Sequence, residues 1–237
     1  MANGSGSRGR GGASRRPSRT KAAAPSRPKP RPPAPAPPPP EGPRDFVLGA
    51  VPGATPGKWI GLWRERMPHV SLELRPIPVE GQRRELDEVD AALVRLPIPD
   101  TDDLHVIPLY DEQPVVVMSV DSALTAADEL DPADLAGEVV IVPADDVLRA
   151  QIPDAVPPAF DPPADTAEAI ATVAAGVGVV VVPMSLARAH QRRDVEFRIL
   201  RGGPVSTVAL AWLREKTTPD VEAFVGIVRG RTARSSR

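Results

Sequence analysis

The sequence predicts an α/β fold of two lobes joined by extended hinge strands and preceded by a disordered Pro/Arg-rich tail. Residues 1–44 hold twelve of the 31 prolines and no Val, Ile, Leu or Phe, so they cannot bury enough apolar surface to offset the entropy of ordering. From residue 45 onward, short apolar runs typical of strands alternate with helical periodicity. Two β-rich runs at 104–110 and 114–120 interrupt the alternation once. Two sets of βα units around a β-rich link indicate two lobes.

The first set reads strand, helix, strand, helix, strand. We expect strands at 46–51, 70–77 and 90–96, a helix at 56–67 and a short polar-faced helix in GQRRELDEV. Thr55 is expected to cap the first helix, with Pro56 at its first helical position. This order is that of a doubly wound parallel sheet.

The second set follows the β-rich link with the same rhythm. We expect, in order, a helix at 131–137 with Asp131 as N-cap, a buried strand at 138–143, a helix at 165–176 ended by Gly176, a buried strand at 177–183, a short helix in MSLARAH, strands in VEFRIL and STVALAWL, and a helix at 218–230 capped by Thr218.

The net charge of -2 conceals an acidic globule with two basic ends. Residues 1–44 carry about +9, residues 229–237 about +4 and residues 45–228 about -15. The chain has no cysteine and three scattered histidines, so we expect neither a metal site nor a cofactor. Neither a signal-type apolar region nor a run of eighteen apolar residues is present; we therefore expect a cytoplasmic protein without a membrane span.

The order of these phrases resembles a known family. From about Phe46 to Val228, VLGAVPGATPGKWIGLWRERMPHVSLEL, LDEVDAALVRLP, LHVIPLYDEQPVVV, DPADLAGEVVIVP and ATVAAGVGVVVVPMSLA are together similar to the effector-binding (substrate-binding) domain of LysR-type transcriptional regulators, a type 2 periplasmic-binding-protein fold. The resemblance implies a domain at 45–229 with a small-molecule effector between its lobes. One lobe would hold about 45–112 and 214–229, the other about 113–213, with a basic tail at 230–237.

The chain departs from the family pattern at its start. Members carry an N-terminal winged helix-turn-helix and a linker helix, whereas the Pro/Arg-rich tail lacks the apolar periodicity that either needs. DNA reading through a recognition helix is therefore not expected. The tail could contact nucleic acid nonspecifically by charge, lie on its own acidic domain, or serve as a ligand for an SH3-type domain.

The run from Gly53 to Lys58 invites comparison with a phosphate-binding loop. A Walker A motif needs four residues between its glycines and Ser or Thr after the lysine, but here three residues separate Gly53 from Gly57, and Trp59 follows Lys58. Thr55 and Pro56 instead start a helix whose free amides and positive dipole end could bind an anion. A purely structural turn is the alternative; the family resemblance favours the ligand site.

Arg95 and Leu96 end an otherwise apolar strand. A buried guanidinium must be paired or reach the cleft, because an unpaired buried charge is very costly. Either Arg95 meets an effector carboxylate bidentately, or it forms a salt bridge with a neighbouring acid. From the second lobe, the resemblance implies cleft positions at Pro143, Ala144, Thr166, Val177 and Gly178.

Catalytic motifs are missing from the sequence: it has no G-x-S-x-G, no H-E-x-x-H and no Ser/His/Asp spacing, so we do not expect an enzyme. His105 is expected to be a hinge or core histidine. The leading hypothesis is a regulatory sensor for a small carboxylate, with a homodimer or a heterodimer with a related regulator as the expected assembly. The alternatives are a transport-type solute-binding protein and a protein-interaction modulator of a full-length regulator.

Overall fold

The computed structural model describes residues 44–230. The expectations for the basic tails therefore concern residues 1–43 and 231–237, which lie outside the described part. Within residues 44–230, no helix has the length and apolar character needed to cross a membrane.

Ten strands and five α-helices make up the described chain. The strands are β1 (Arg44–Ala50), β2 (Val70–Pro76), β3 (Ala91–Arg95), β4 (Leu104–Glu112), β5 (Pro114–Ser119), β6 (Glu129–Leu130), β7 (Val140–Ile141), β8 (Val179–Pro183), β9 (Val195–Leu200) and β10 (Ser206–Leu213). The helices are α1 (Gly57–Arg66), α2 (Gln82–Glu85), α3 (Thr166–Ala174), α4 (Met184–Ala189) and α5 (Pro219–Val228). Short 3-10 helices lie at Leu86–Glu88, Ala123–Ala126, Pro132–Leu135 and Arg214–Lys216.

The strands form two five-stranded sheets, one in each lobe. The first has the order β2-β1-β3-β10-β4 and the second β6-β9-β5-β8-β7. In the first sheet β1 is parallel to β2 and β3, whereas β10 is antiparallel to β3 and β4. In the second sheet β5 is antiparallel to β8 and β9. The predicted α/β architecture of two lobes is confirmed, with mixed rather than purely parallel sheets.

The predicted lobe boundary at residue 213 is wrong. Strand β10 pairs with β3 and β4 of the first sheet, for example Leu210 with Leu93 and Ile107. It inserts there because all of its residues but Thr207 are buried, and the centre of a sheet covered on both faces buries such a strand. The chain therefore returns to the first lobe at 201–205.

Each sheet has an apolar cluster on both faces. Under α1 and α5, Phe46 stacks on Trp63 with ring centroids 4.6 Å apart and lies 5.3 Å from Phe224. In the second lobe, Ile170 and Val173 of α3 pack on the inner strands. Strand β7 is shorter and more exposed than the predicted buried run 138–143, since Val142 is 49% exposed. Its position at the sheet edge explains this exposure.

Candidate functional site

The ends of several strands converge where the lobes meet. The chain crosses from β4 to β5 at Gln113 and returns from β9 to β10. Because β3 is antiparallel to β10, its last residue, Arg95, lies at this hinge-facing end. In the second lobe, β8 is antiparallel to β5, so that Pro183 lies opposite Pro114. Helix α4 therefore begins beside the hinge, facing the turn that leads into α1.

A cavity of about 760 Å³ lies between these parts. Its lining comes from both lobes: Gly53, Ala54 and Thr55 before α1; Tyr110, Asp111, Glu112 and Gln113 at the hinge; and Met184, Ser185, Arg188 and Ala189 of α4. The volume lies within the range of small-molecule sites in proteins. Since both lobes form its walls, a molecule bound here would contact both at once.

Arg95 is buried beside the cavity and is held by several partners. Its Nη1 donates to Glu112 Oε2 at 2.7 Å and to Ser206 Oγ at 2.6 Å, and its Nη2 donates to the Pro52 carbonyl at 3.0 Å. Only 2% of the Arg95 side chain is exposed, and only 9% of the Glu112 side chain. The salt-bridge alternative left open by the sequence is therefore what the structure contains. The guanidinium is not available in this arrangement as a bidentate carboxylate receptor.

The start of α1 differs from the sequence expectation. Pro56 is the N-cap, its carbonyl accepts the first helical hydrogen bond from Ile60 N–H at 2.9 Å, and no side chain caps the helix. The prediction that Thr55 caps α1 is wrong, because Thr55 lies one residue outside the cap. It is exposed and lines the cavity instead. The amides of the first turn thus have no side-chain partner, and the positive end of the helix dipole lies beside the cavity.

Leu96 lies away from the cavity. Successive side chains of a strand point to opposite faces, so Leu96 faces opposite to Arg95. It packs with the apolar cluster that includes Leu86 and Ile98 and borders a shallow groove with Pro97. The prediction of Leu96 as a ligand contact is not supported by this position.

Pro143, Ala144 and Thr166 occupy the hinge-facing end of the second lobe. Ala144 N–H donates to the Pro163 carbonyl at 2.9 Å, and Thr166 Oγ1 donates to Asp145 Oδ1 at 2.9 Å. These bonds tie the turn after β7 to the start of α3. None of these three side chains lines the cavity.

Val177 and Gly178 lie at the opposite end of the second lobe. They precede β8, and the first residues of β8 pair with β5 at Val117. This end of β8 lies away from the hinge. Gly178 has φ +62°, and an added Cβ would overlap the carbonyl oxygen of Val139. Close backbone packing therefore explains this glycine. The prediction that Val177 and Gly178 line the cleft is wrong, because the antiparallel register reverses the end of β8 that faces the hinge.

The sequence interpretation missed the contribution of α4. Met184, Ser185 and Arg188 line the cavity, and Ser185 bonds across the lobes. Arg188 is exposed, and no partner for it was found among the described residues. The sequence did contain a signal for this site, since Arg188 lies about one helical turn after Pro183-Met184-Ser185 at the start of a short helix. That signal gains meaning only once β8 is known to run toward the hinge.

Tyr110 is the aromatic residue of the cavity. Burial raises the pKa of its phenol, the Glu112 carboxylate raises it further, and Arg95 opposes the rise. The hydroxyl is therefore protonated at neutral pH and can donate a hydrogen bond. His105, in contrast, packs on Trp212 with ring centroids 5.0 Å apart, and does not line the cavity.

Comparisons with known proteins agree with this geometry. The chain is 28% identical to the Hca operon transcriptional activator HcaR of Escherichia coli (strain K12), over 80% of this chain and 69% of that protein. The reduced OxyR regulatory domain of Pseudomonas aeruginosa is 24% identical, with a TM-score of 0.62, covering 79% of this chain and 98% of that one. The BenM effector binding domain, solved with its effector benzoate, is 17% identical with a TM-score of 0.65, covering 82% and 95%.

A family model supplies the assignment. The model described as the LysR substrate binding domain matches residues 46–233, which confirms the resemblance inferred from the sequence and the type 2 periplasmic-binding-like fold. The match gives the chain the regulatory role of a sensor domain and does not favour the transport alternative. The chain belongs to the LysR substrate-binding domain family.

Proposed function

We propose that the cavity between the lobes binds a small carboxylate and that Arg188 is its charged partner. The observation that carries the proposal is that the two lobes share one cavity with an arginine in its wall that has no partner among the described residues. Arg95 cannot fill this role without leaving Glu112. Guanidinium groups bind carboxylates with two parallel hydrogen bonds.

The rest of the lining fits a carboxylate with an apolar or aromatic body. Ala54, Met184 and Ala189 supply apolar surface, and Tyr110 supplies a ring and a hydroxyl donor. The uncapped start of α1 adds the positive end of a dipole. The solved BenM domain, which has the same fold, carries benzoate as its effector. Binding across both lobes would favour one lobe arrangement over another, and this is how a sensor domain transmits occupancy.

A thermal-shift screen with benzoate and a set of aliphatic and aromatic acids tests the proposal. An acid that stabilises the parent should lose about tenfold or more in affinity in Arg188→Gln, since a charge-assisted hydrogen bond is removed. The matched control is Arg193→Gln, an exposed arginine five residues further on and outside the cavity. Unchanged affinity in Arg188→Gln, or stabilisation by none of the acids, would reject the carboxylate site.

We further propose that the protein binds rather than catalyses, acts in the cytoplasm and pairs with itself or with a related regulator. The basic residues of 1–44 would add nonspecific contacts to nucleic acid. Such contacts weaken steeply with salt. Fluorescence anisotropy with a random duplex, measured from low to high salt on the full chain and on a chain starting at residue 44, tests the nucleic-acid part. Equal affinity of the two chains would reject it.

A further inference from the structure

The hydroxyl of Ser185 joins the second lobe to two charged residues of the first. Ser185 Oγ donates to Glu112 Oε2 at 2.9 Å and accepts from Arg95 Nη2 at 3.3 Å. Arg95 Nη1 and Glu112 Oε2 are themselves 2.7 Å apart. The three side chains therefore form a closed triangle of hydrogen bonds, with one corner on each of β3, β4 and α4.

Arg95 is anchored independently of Ser185, and it holds Glu112 in turn. The Arg95 guanidinium is also held by Ser206 Oγ and by the Pro52 carbonyl, both in the first lobe. It therefore keeps its position when the lobes separate. Ser185 is fixed from the other side, because Met184 N–H donates to the Gln113 carbonyl at 3.0 Å. Separation of the lobes would therefore move the Ser185 hydroxyl away from Arg95 and Glu112.

The backbone of the first lobe leaves room for this contact. Gly53 has φ +82°, a left-handed conformation that glycine adopts without strain. An added Cβ there would overlap Ser185 Oγ and lie 2.8 Å from Arg95 Nη2. The turn before α1 therefore lies so close to the triangle that residue 53 has no room for a β-carbon. A side chain at residue 53 would push α4 away.

We propose that Ser185, Glu112 and Arg95 form an interlobe latch that holds the lobes closed in the absence of any ligand. Ser185 is a positioning residue: it acts through Arg95 and Glu112 to set α4 against the turn at 52–56. The bonds of the latch are charge-assisted, and both charged side chains are at least nine-tenths buried. Two short chain links connect the sheets, so contacts of this kind decide the lobe angle. The latch does not depend on which ligand the cavity takes.

Two serine variants separate the latch from a general loss of packing. Ser185→Ala removes the hydroxyl that crosses the lobes. Ser206→Ala removes a hydroxyl bonded to the same guanidinium, but within the first lobe. The chain has no cysteine, so Glu65→Cys and Arg193→Cys place one spin label on an exposed site of each lobe. Electron-electron distance measurements are then made on the ligand-free protein.

The latch predicts a difference between the two variants. Ser185→Ala should lower the ratio of closed to open populations by about tenfold or more, because it removes the charge-assisted hydrogen bond to Glu112 and the longer one from Arg95. Ser206→Ala should keep the distance distribution of the parent. As a second readout, hydrogen exchange should rise at 52–56 and at the start of α4 in Ser185→Ala alone. Distance distributions and exchange in Ser185→Ala that match those of the parent overturn the proposal, as does an equal change in both variants.

Discussion

At the scale of single residues, the ion pair of Arg95 and Glu112 is expected to have a large effect on stability. Both side chains are nearly excluded from water, and Arg95 Nε is buried without a hydrogen-bond partner. Desolvation opposes such a pair, and the mutual attraction offsets this cost only while both partners are present. Removing one partner of the pair should therefore destabilise the fold more than replacing both partners by apolar residues.

Arg95→Met should lower the free energy of unfolding by about 3–5 kcal/mol, because Glu112 is left buried without its cation. The double variant Arg95→Met/Glu112→Leu should recover much of that loss. Urea unfolding followed by tryptophan fluorescence measures both, since all three tryptophans lie in the first lobe. At the exposed pair of Arg192 and Asp194, Arg192→Met should change stability by less than about 1 kcal/mol. Equal losses at the two pairs would contradict this account.

Asp146 gives a pH dependence with a defined sign. Burial raises the pKa of its carboxyl, against the hydrogen bonds from Leu148 and Arg149 N–H, while Asp145 adds to the rise. As pH increases, the Asp146 carboxyl therefore loses its proton at a lower pH in the unfolded chain than in the folded one. The parent should lose stability relative to Asp146→Asn from the ordinary aspartate pKa up to the raised pKa, with no further change above it.

Denaturation curves at a series of pH values measure this effect. Asp194 is the control of opposite sign, because its hydrogen bond with Arg192 lowers the pKa of the carboxyl. Relative to Asp194→Asn, the parent should gain stability as pH rises from the lowered pKa of Asp194 to the ordinary aspartate pKa. Parallel slopes for the two variants would show that the Asp146 environment is not as described.

At the scale of elements, α1 and α5 show how one dipeptide can begin two helices differently. A Thr-Pro pair lies at the start of both: Thr55-Pro56 and Thr218-Pro219. In α5, Thr218 is the N-cap, its Oγ1 accepts from Val221 N–H at 3.3 Å, and Pro219 is the first helical residue. In α1 the cap moves to Pro56, and Thr55 is left free for the cavity. Asp220 favours the earlier start of α5, as a carboxylate in the first turn does; α1 has no acid there.

Alanine variants at the two threonines test this difference. Thr218→Ala should lower stability by about 0.5–2 kcal/mol, the effect of losing a cap. Thr55→Ala should change it by less than about 0.5 kcal/mol, as expected of a surface position. Thermal unfolding measures the stability change in each of the two variants. A loss in Thr55→Ala equal to that in Thr218→Ala would restore the capping role that the sequence indicated.

The sequence predicted most elements but not how the sheets assemble. Apolar periodicity located β1, α1, α3 and α5 within a few residues, because it reflects which face of each element is buried. The run that forms β10 is buried on both faces, and such a run carries no information about its neighbours in a sheet. Val177 and Gly178 were correctly placed before β8, but the resemblance implied that this end of the strand faces the cleft. Arg188 was overlooked. Both depend on strand direction, which long-range pairing sets.

At the scale of the whole molecule, the two lobes have separate cores. Phe224 of α5 packs with Phe46 and Trp63 in the first lobe, and Ile170 of α3 packs on β5 and β8 in the second. Contact between the lobes is concentrated at the hinge and the latch. A defect in one core should therefore leave the other core largely protected.

Two core truncations test this independence. Phe224→Ala should lower the stability of the first lobe by about 3–5 kcal/mol, and Ile170→Ala that of the second by about 2–5 kcal/mol. Hydrogen exchange resolved by segment should rise in β1 and β3 for the first variant and in β5 and β8 for the second. Loss of protection across both sheets in either variant would show a single cooperative unit.

The return of β10 to the first sheet has a consequence for protein synthesis. Residues 114–200 supply every strand of the second sheet, whereas the first sheet needs 206–213 between β3 and β4. A ribosome delivers these last residues after all of the second lobe. The second lobe can therefore fold before the first lobe is complete. Until β10 is synthesised, the edges of β3 and β4 are unpaired and could pair with non-native strands. The topology of this chain therefore allows the second lobe to complete its sheet before the first lobe does.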